Sequence, residues 1–186
     1  LALWGRSAAR TVFTIHNLEY PGLFGRDVLG PLGLPESLFS MDGLEFYGGV
    51  SFLKAGLFYS DRITTVSPTY AREIQSPIAG RGLHGLLAGR SEQLTGILNG
   101  IDTEIWNPST DTHLPARYSA SDTRGKAENK RRLCEEVALE SVAGAPLIGV
   151  VSRLSSHKGL DLVLDSVTEL VGTGAQLVVL GSGDDD

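Results

Sequence analysis

The chain has 186 residues, of which 41% are hydrophobic and 20% charged, an ordinary balance for a globular protein that holds one good-sized domain or parts of two. A formal net charge of −6 argues against a nucleic-acid binder, since phosphate backbones want a basic face, yet it leaves room for a local basic pair on one anionic group. The single cysteine, Cys134, excludes a disulfide framework or a cysteine metal site within this chain, and no apolar run approaches the roughly 20 residues needed to span a bilayer.

Leu1 to Arg10 lacks the apolar centre of a signal peptide. The sequence does not begin with Met, and it stops at Asp184, Asp185 and Asp186 directly after a strand and a glycine turn. A piece of a longer chain is expected.

Thr11 to His16 (TVFTIH) is apolar and β-branched and predicts a buried strand ending at the polar pair His16-Asn17. Pro21, Gly22, Gly25, Gly30, Pro31, Gly33 and Pro35 predict a long loop region. Ser51 to Ser60 (SFLKAGLFYS) predicts a mostly buried helix and Arg62 to Ser67 a strand. Ser67-Pro68 then opens a helix, with Ser as cap and Pro at the first position. Gly80 to Gly89 reads as a glycine-rich loop with Arg81, His84 and Arg90 around it, and Leu94 to Leu98 as a strand ending at Asn99-Gly100.

Residues 102 to 122 are polar, broken by Pro108 and Pro115, and predict a crossing between two domains. Lys126 to Leu139 predicts a charged helix with Leu133 and Val137 on its apolar face. Pro146 to Ser152 (PLIGVVS) is a continuous apolar run of the parallel, doubly covered kind. Leu160, Val163, Leu164, Val167, Leu170 and Val171 space out an amphipathic helix, and Gln176 to Leu180 is the next strand. The class is α/β, with two partial Rossmann-like domains.

The candidate chemistry sits past strand ends, where open parallel sheets bind ligands. Arg153 follows PLIGVVS and Lys158 begins the next helix, so two cations and a helix amino terminus converge as a diphosphate cradle. Gly159 permits close backbone approach there. A loop arginine paired to a carboxylate accounts for Arg153 equally well on spacing alone. His16 and Asn17 can meet sugar hydroxyls, although a structural histidine explains His16 too. Asn99-Gly100 is a third candidate or a plain turn. Glu45, Phe46, Tyr47 and Gly48 offer either a sugar-stacking platform or core. No P-loop, Gly-x-Gly-x-x-Gly fingerprint, metal-ligand cluster or nucleophile elbow occurs, and Gly181-Ser182-Gly183 is only part of a dinucleotide fingerprint.

Together the stretches TIHNLEYPGLF (Thr14 to Phe24), LEFYGGVSFLKAGLFYSDRITTVSPTYAREI (Leu44 to Ile74), RGLHGLLAGR, GILNGIDTEIWNPSTD (Gly96 to Asp111), KAENKRRL and VVSRLSSHKGLDLVL resemble the ADP-glucose-dependent starch and glycogen synthases of bacteria and plants. The resemblance implies a B-type glycosyltransferase fold in which two Rossmann-like domains close over a cleft, with no metal or other cofactor. It implies an ADP-glucose donor, an α-1,4-glucan acceptor, retention of configuration, and neither a nucleic-acid nor a membrane partner.

Residues 1–101 would be the C-terminal part of the N-terminal, acceptor-side domain, 102–122 the crossing, and 123–186 the start of the nucleotide-sugar-binding domain. Arg153 and Lys158 match the residues that hold the ADP diphosphate, His16 matches the active-site histidine, and Asn17, Asn99 and Gly159 join the substrate-binding set. His157 replaces a usual Gln, and the family's Lys-x-Gly-Gly loop and Glu-containing motif lie outside this sequence, so the isolated chain is expected to be inactive. Location in the cytoplasm, or a plastid in a plant or alga, is expected. Two alternatives stay open: a related retaining transferase such as a sucrose-forming enzyme, and a non-catalytic glucan- or nucleotide-binding homologue.

Overall fold

The structure, a computed structural model, describes residues 9–155 and 158–183. The chain divides into two compact units, Leu1–Gly100 and Ile101–Asp186.

In the first unit, strand β1 (Val12–Ile15) starts where Asp61 clamps Thr11: the carboxylate accepts from the Thr11 backbone N–H at 2.7 Å and from its hydroxyl at 2.9 Å. The Thr11 backbone bond, then its hydroxyl and Arg10, hold the exposed Asp61 carboxyl below its ordinary range. Its folded pKa is depressed, so its share of stability is present above the ordinary carboxylate range and is lost as pH falls through the lowered value.

A small antiparallel sheet joins β2 (Leu23–Phe24), inside the stretch expected as loop, to β3 (Glu45–Phe46) and β4 (Gly49–Ser51) beyond it, in the order β2-β4-β3. These strands are too short to carry a readable alternation, and the intervening glycines and prolines hide them. Leu29, Leu44 and Val50 form a small core associated with this sheet. The β3–β4 connection is a two-residue turn, Tyr47-Gly48, with φ of 49° and 84°. Two positive φ values in a two-residue hairpin mark a type I′ turn, which favours Asn-Gly; a tyrosine there costs on the order of 1–2 kcal/mol.

Helix α1 (Phe52–Tyr59) begins at Ser51, whose hydroxyl oxygen accepts from the Lys54 N–H at 3.1 Å. Its buried residues are Lys54 and Leu57, while Phe52 and Tyr59 are exposed, so the helix is less buried than expected. Lys54 is tolerated inside because its Nζ donates to the carbonyls of Met41 and Glu45.

Strand β5 (Arg62–Thr65) leads to α2 (Pro68–Glu73), capped as expected by Ser67, whose hydroxyl accepts from the Tyr70 N–H at 2.9 Å. Half of the expected glycine-rich loop is a short helix, α3 (His84–Gly89), because buried Leu83 and Leu87, four apart, anchor it. Strand β6 (Leu94–Gly96) completes a parallel sheet of order β1-β5-β6, in which Ile15, Thr65 and Gly96 stand in one register row. Ile15, Leu18, Leu57, Ile63, Ile74, Leu83 and Leu87 form its core.

The second unit contains α4 (Gly125–Glu136), β7 (Leu147–Val151), α5 (Leu160–Gly172) and β8 (Gln176–Leu180), with β7 and β8 parallel from Leu147–Gln176 to Val151–Leu180. The segment before α4 is tied to that helix: the Asn129 side chain accepts from the Ala116 N–H and donates to the Ala116 carbonyl, both at 2.8 Å. The buried residue of α4 is Cys134, whereas Leu133 and Val137 are each 40% exposed, which corrects the expected face. The expected double cover of β7 is likewise corrected, since Val151 and Leu180 are largely exposed. One crossing helix can cover only one face of a two-stranded sheet. On α5, Val163, Val167 and Leu170 are half-buried, but Leu164 and Val171 are exposed.

Gly96 positions the end of β6. A Cβ there would lie 2.2 Å from the Ser67 carbonyl oxygen and 2.4 Å from the Pro68 nitrogen, so β6 and the α2 start meet backbone to backbone. Gly96→Ala should therefore destabilise the first unit by about 3 kcal/mol, the upper end of overpacking costs. A urea melt of the variant against the parent checks this; an unchanged midpoint would contradict the close approach.

Candidate functional site

The carboxyl edge of the β1-β5-β6 sheet gathers three of the sequence-predicted residues. His16 and Asn17 directly follow β1, and Asn99 lies three residues past β6. Strands β1 and β6 flank β5, so their ends are separated by roughly 10 Å, twice the strand spacing. The ladder continues past β6, with the Ile97 N–H donating to the Thr65 carbonyl at 2.7 Å, which fixes the exit toward Asn99.

His16 is exposed, and among the described residues its ring makes no hydrogen bond. The Asn17 side-chain oxygen accepts from the Glu19 N–H at 2.9 Å in a local turn, and among the described residues its NH₂ makes no hydrogen bond. Next to it the Leu18 N–H donates to the Tyr70 hydroxyl at 3.2 Å. Glu19 forms an ion pair with Arg81, and Asn17, Glu19, Tyr70, Ile78 and Arg81 line a concavity of about 270 Å³. The Gly80 to Gly89 segment thus reaches the His16 edge through Arg81. Arg90 does something else: its guanidinium donates to the carbonyls of Leu57 and Ser60 at the end of α1.

A larger hollow of about 740 Å³ lies at the opposite, amino edge, lined by Arg10, Asp61, Arg62 and Arg90 among others. Size alone would favour it. Ligands of open parallel sheets, however, bind beyond the carboxyl ends of strands, which favours the smaller concavity at the His16 edge.

In the second unit, Arg153, Lys158 and Gly159 lie between the end of β7 and the start of α5. Arg153 and Lys158 are exposed, and among the described residues neither makes an ion pair. His157 lies outside the described residues. Gly159 precedes α5 with φ of 67°, a left-handed conformation that suits glycine, and the Lys158 N–H donates to the Ser155 carbonyl at 3.0 Å. With no side-chain cap at this terminus, the first-turn N–H groups of α5 remain available as donors.

The sequence reading did not anticipate what holds the Arg153 loop. The Leu154 N–H donates to the Ser182 carbonyl at 2.8 Å, and a bridge pairs Leu154 with Gly183. A Cβ on Gly181 would lie 2.0 Å from the Ser152 carbonyl oxygen, and one on Gly183 would lie 2.2 Å from the Leu154 oxygen. The partial fingerprint Gly181-Ser182-Gly183 is therefore a packing surface for the Arg153 loop. A glycine pair directly after the second strand of a βαβ unit was the available signal.

The family description for the starch synthase catalytic domain matches residues 4–89. A glycogen synthase from Rhodopseudomonas palustris is 55% identical over 180 residues, covering 97% of this chain and 37% of that protein. Glycogen synthase 2 from Bradyrhizobium diazoefficiens is 56% identical over 176 residues, covering 95% of this chain and 36% of its own length. Among solved structures, the catalytic domain of starch synthase IV from Arabidopsis thaliana, bound to ADP and acarbose, superposes with a TM-score of 0.90 at 40% identity, over 98% of this chain and 38% of that one. Parallel α/β sheets matched at this level define a glycosyltransferase fold. Within that class, the chain belongs to the starch and glycogen synthase family, and it spans about 37% of the length of the curated relatives it matches.

Gly181→Ala should destabilise the second unit by about 1–3 kcal/mol, because the clash is with backbone and has no flexible partner to yield. Differential scanning calorimetry of the variant reads this directly; an unshifted transition would mean that the loop is held otherwise.

Proposed function

We propose that the complete protein containing this chain transfers glucose from ADP-glucose to the non-reducing end of an α-1,4-glucan, with retention of configuration. The observation that carries the reading is the 40%-identical match, over 98% of the chain, to a starch synthase holding ADP and acarbose. The synthase names of the relatives favour this reading over a sucrose-forming transferase or a non-catalytic homologue. Residues 1–101 would supply the acceptor-side domain's C-terminal part, 102–122 the crossing, and 123–186 the start of the nucleotide-sugar domain. Among the described residues no helix is long and apolar enough to cross a membrane. The cytoplasm, or a plastid in a plant or alga, is the proposed location.

In this reading Arg153 and Lys158 receive the ADP diphosphate, with the α5 amino terminus behind them and Gly159 letting the phosphate approach backbone. Negative charge grows on the β-phosphate as the glycosidic bond breaks, so fixed cations there favour the transition state over the ground state. An arginine keeps its charge throughout the working pH range, and its planar fork can grip two phosphate oxygens. His16, whose ring makes no hydrogen bond among the described residues, contacts the donor glucose where the oxocarbenium-like charge develops. Asn17 and Asn99 offer amide donors and acceptors to sugar hydroxyls at the same sheet edge.

Labelled-glucose transfer by the complete protein, with glycogen and each nucleotide sugar supplied separately, tests the reading; no transfer from ADP-glucose would sink it. Arg153→Ala is expected to lower kcat/KM for ADP-glucose by about 1.5–3 kcal/mol, the worth of a hydrogen bond to a charged group. An unchanged value would remove the diphosphate role. His16→Ala should lower kcat more than it raises the donor's KM, and a raised KM alone would make His16 a simple binding residue.

A further inference from the structure

Tyr47 holds an exposed aromatic ring in a conformation that its own backbone disfavours. It is 82% exposed and sits at the first turn position of the β3–β4 hairpin with φ of 49°. Asn or Gly would relax that turn. A bulky residue at positive φ persists where the surroundings fix it, and such positions cluster at ligand sites.

The surroundings do fix it. The Tyr47 ring packs edge to face on Phe46, with centroids 4.6 Å apart at 77°, and Phe46 packs against the main core. Gly82, at φ of 82°, lies against the ring: a Cβ there would come within 2.9 Å of Cε2 and of the Tyr47 hydroxyl. The hairpin is tied at its base by the Gly48 N–H, which donates to the Glu45 carboxylate at 2.8 Å, and by Lys54 on the Glu45 carbonyl. The ring is thus rigid and solvent-facing at once, and ordering it on binding costs little.

Its position links it to the His16 edge. Gly82 adjoins Arg81, Arg81 pairs with Glu19, and Glu19 donates its N–H to Asn17. A flat aromatic beside a charged pair is the chemistry that suits a pyranose chain, with C–H faces for the ring and hydroxyls for the guanidinium and carboxylate. We infer that Tyr47 is a docking platform for the α-glucan, outside the residues that meet the donor, with the Glu19–Arg81 pair as its polar rim. The inference rests on the glucan-elongating reading for the identity of the chain that docks.

The test uses the complete protein with Tyr47→Asn, which suits the turn, and Tyr47→Phe, which keeps the ring. Maltoheptaose binding, measured without donor by intrinsic fluorescence, should weaken about tenfold in Tyr47→Asn and stay within about twofold in Tyr47→Phe. The unfolding midpoint of Tyr47→Asn should hold or rise, so lost binding would not reflect lost folding. In turnover, the KM for glycogen should rise while the KM for ADP-glucose stays unchanged. Wild-type affinity for maltoheptaose in Tyr47→Asn would overturn the platform. Binding that depends on Tyr47, in a wild-type protein that transfers no glucose, would uphold the platform and sink the proposed transfer reaction.

Discussion

The chain just past β6 and β7, on the way to Asn99 and at Arg153, is fixed by backbone lying directly against a glycine. Gly96 lets β6 run beneath the start of α2, and Gly181 and Gly183 let the end of β8 press on Ser152 and Leu154. No side chain could mediate either contact, because the first carbon of any side chain would already overlap a carbonyl oxygen. The consequence is stiffness where it matters. A loop held by main-chain contact has few torsions left to adjust, so the residues it carries keep their place.

The small antiparallel sheet obeys a different logic. Its strands are two or three residues long and could not stand alone. They are held by the small core of Leu29, Leu44 and Val50 and by buried Lys54, which gathers the Met41 and Glu45 carbonyls around one ammonium. A cation does here what an apolar side chain could not, since it brings two carbonyls a donor while its own buried ammonium is satisfied. The same lysine steadies the base of the hairpin that holds Tyr47 in its strained turn.

Much of this was legible in the sequence, and what was not has physical reasons. The β-branched runs TVFTI and RITTV read correctly as strands and Ser67-Pro68 as a cap because each signal is local, but the expected burial of the first is corrected: β1 buries Ile15 alone and leaves Val12 and Thr14 exposed. The β2-β4-β3 sheet did not, since strands of two residues have no period to read. The buried side of α4 was misjudged because Leu133 and Val137 are the larger apolar side chains there, whereas the structure buries the smaller Cys134. The Arg90 contacts with the end of α1 and the Glu19–Arg81 pair join residues 30 and 62 positions apart, beyond the reach of any local pattern. Strand-end placement of His16, Asn17, Asn99 and Arg153 was legible because it depends only on where each strand stops.

Charge gives the remaining discrimination. In a chain of net charge −6, arginines have abundant partners, and many take them: Arg26 with Glu36, Arg81 with Glu19, Arg124 with Asp122, and Arg131 and Arg132 with Glu128 and Glu135. Such exposed pairs add little stability, but they do cancel charge locally. Among the described residues Lys54, Arg72, Arg90, Lys126 and Lys130 have no carboxylate partner and turn to carbonyls, a hydroxyl or a ring, whereas Arg62, Arg117, Arg153 and Lys158 have no side-chain partner of either kind. Arg62 begins β5 at the amino edge, and Arg117 lies in the segment before α4, so neither stands past the carboxyl end of a strand. Only Arg153 and Lys158 among these four combine an uncancelled charge with that position and with a neighbouring helix amino terminus. Among the described residues this acidic chain thus leaves two cations without a carboxylate partner past the end of β7, a placement that composition alone would not supply.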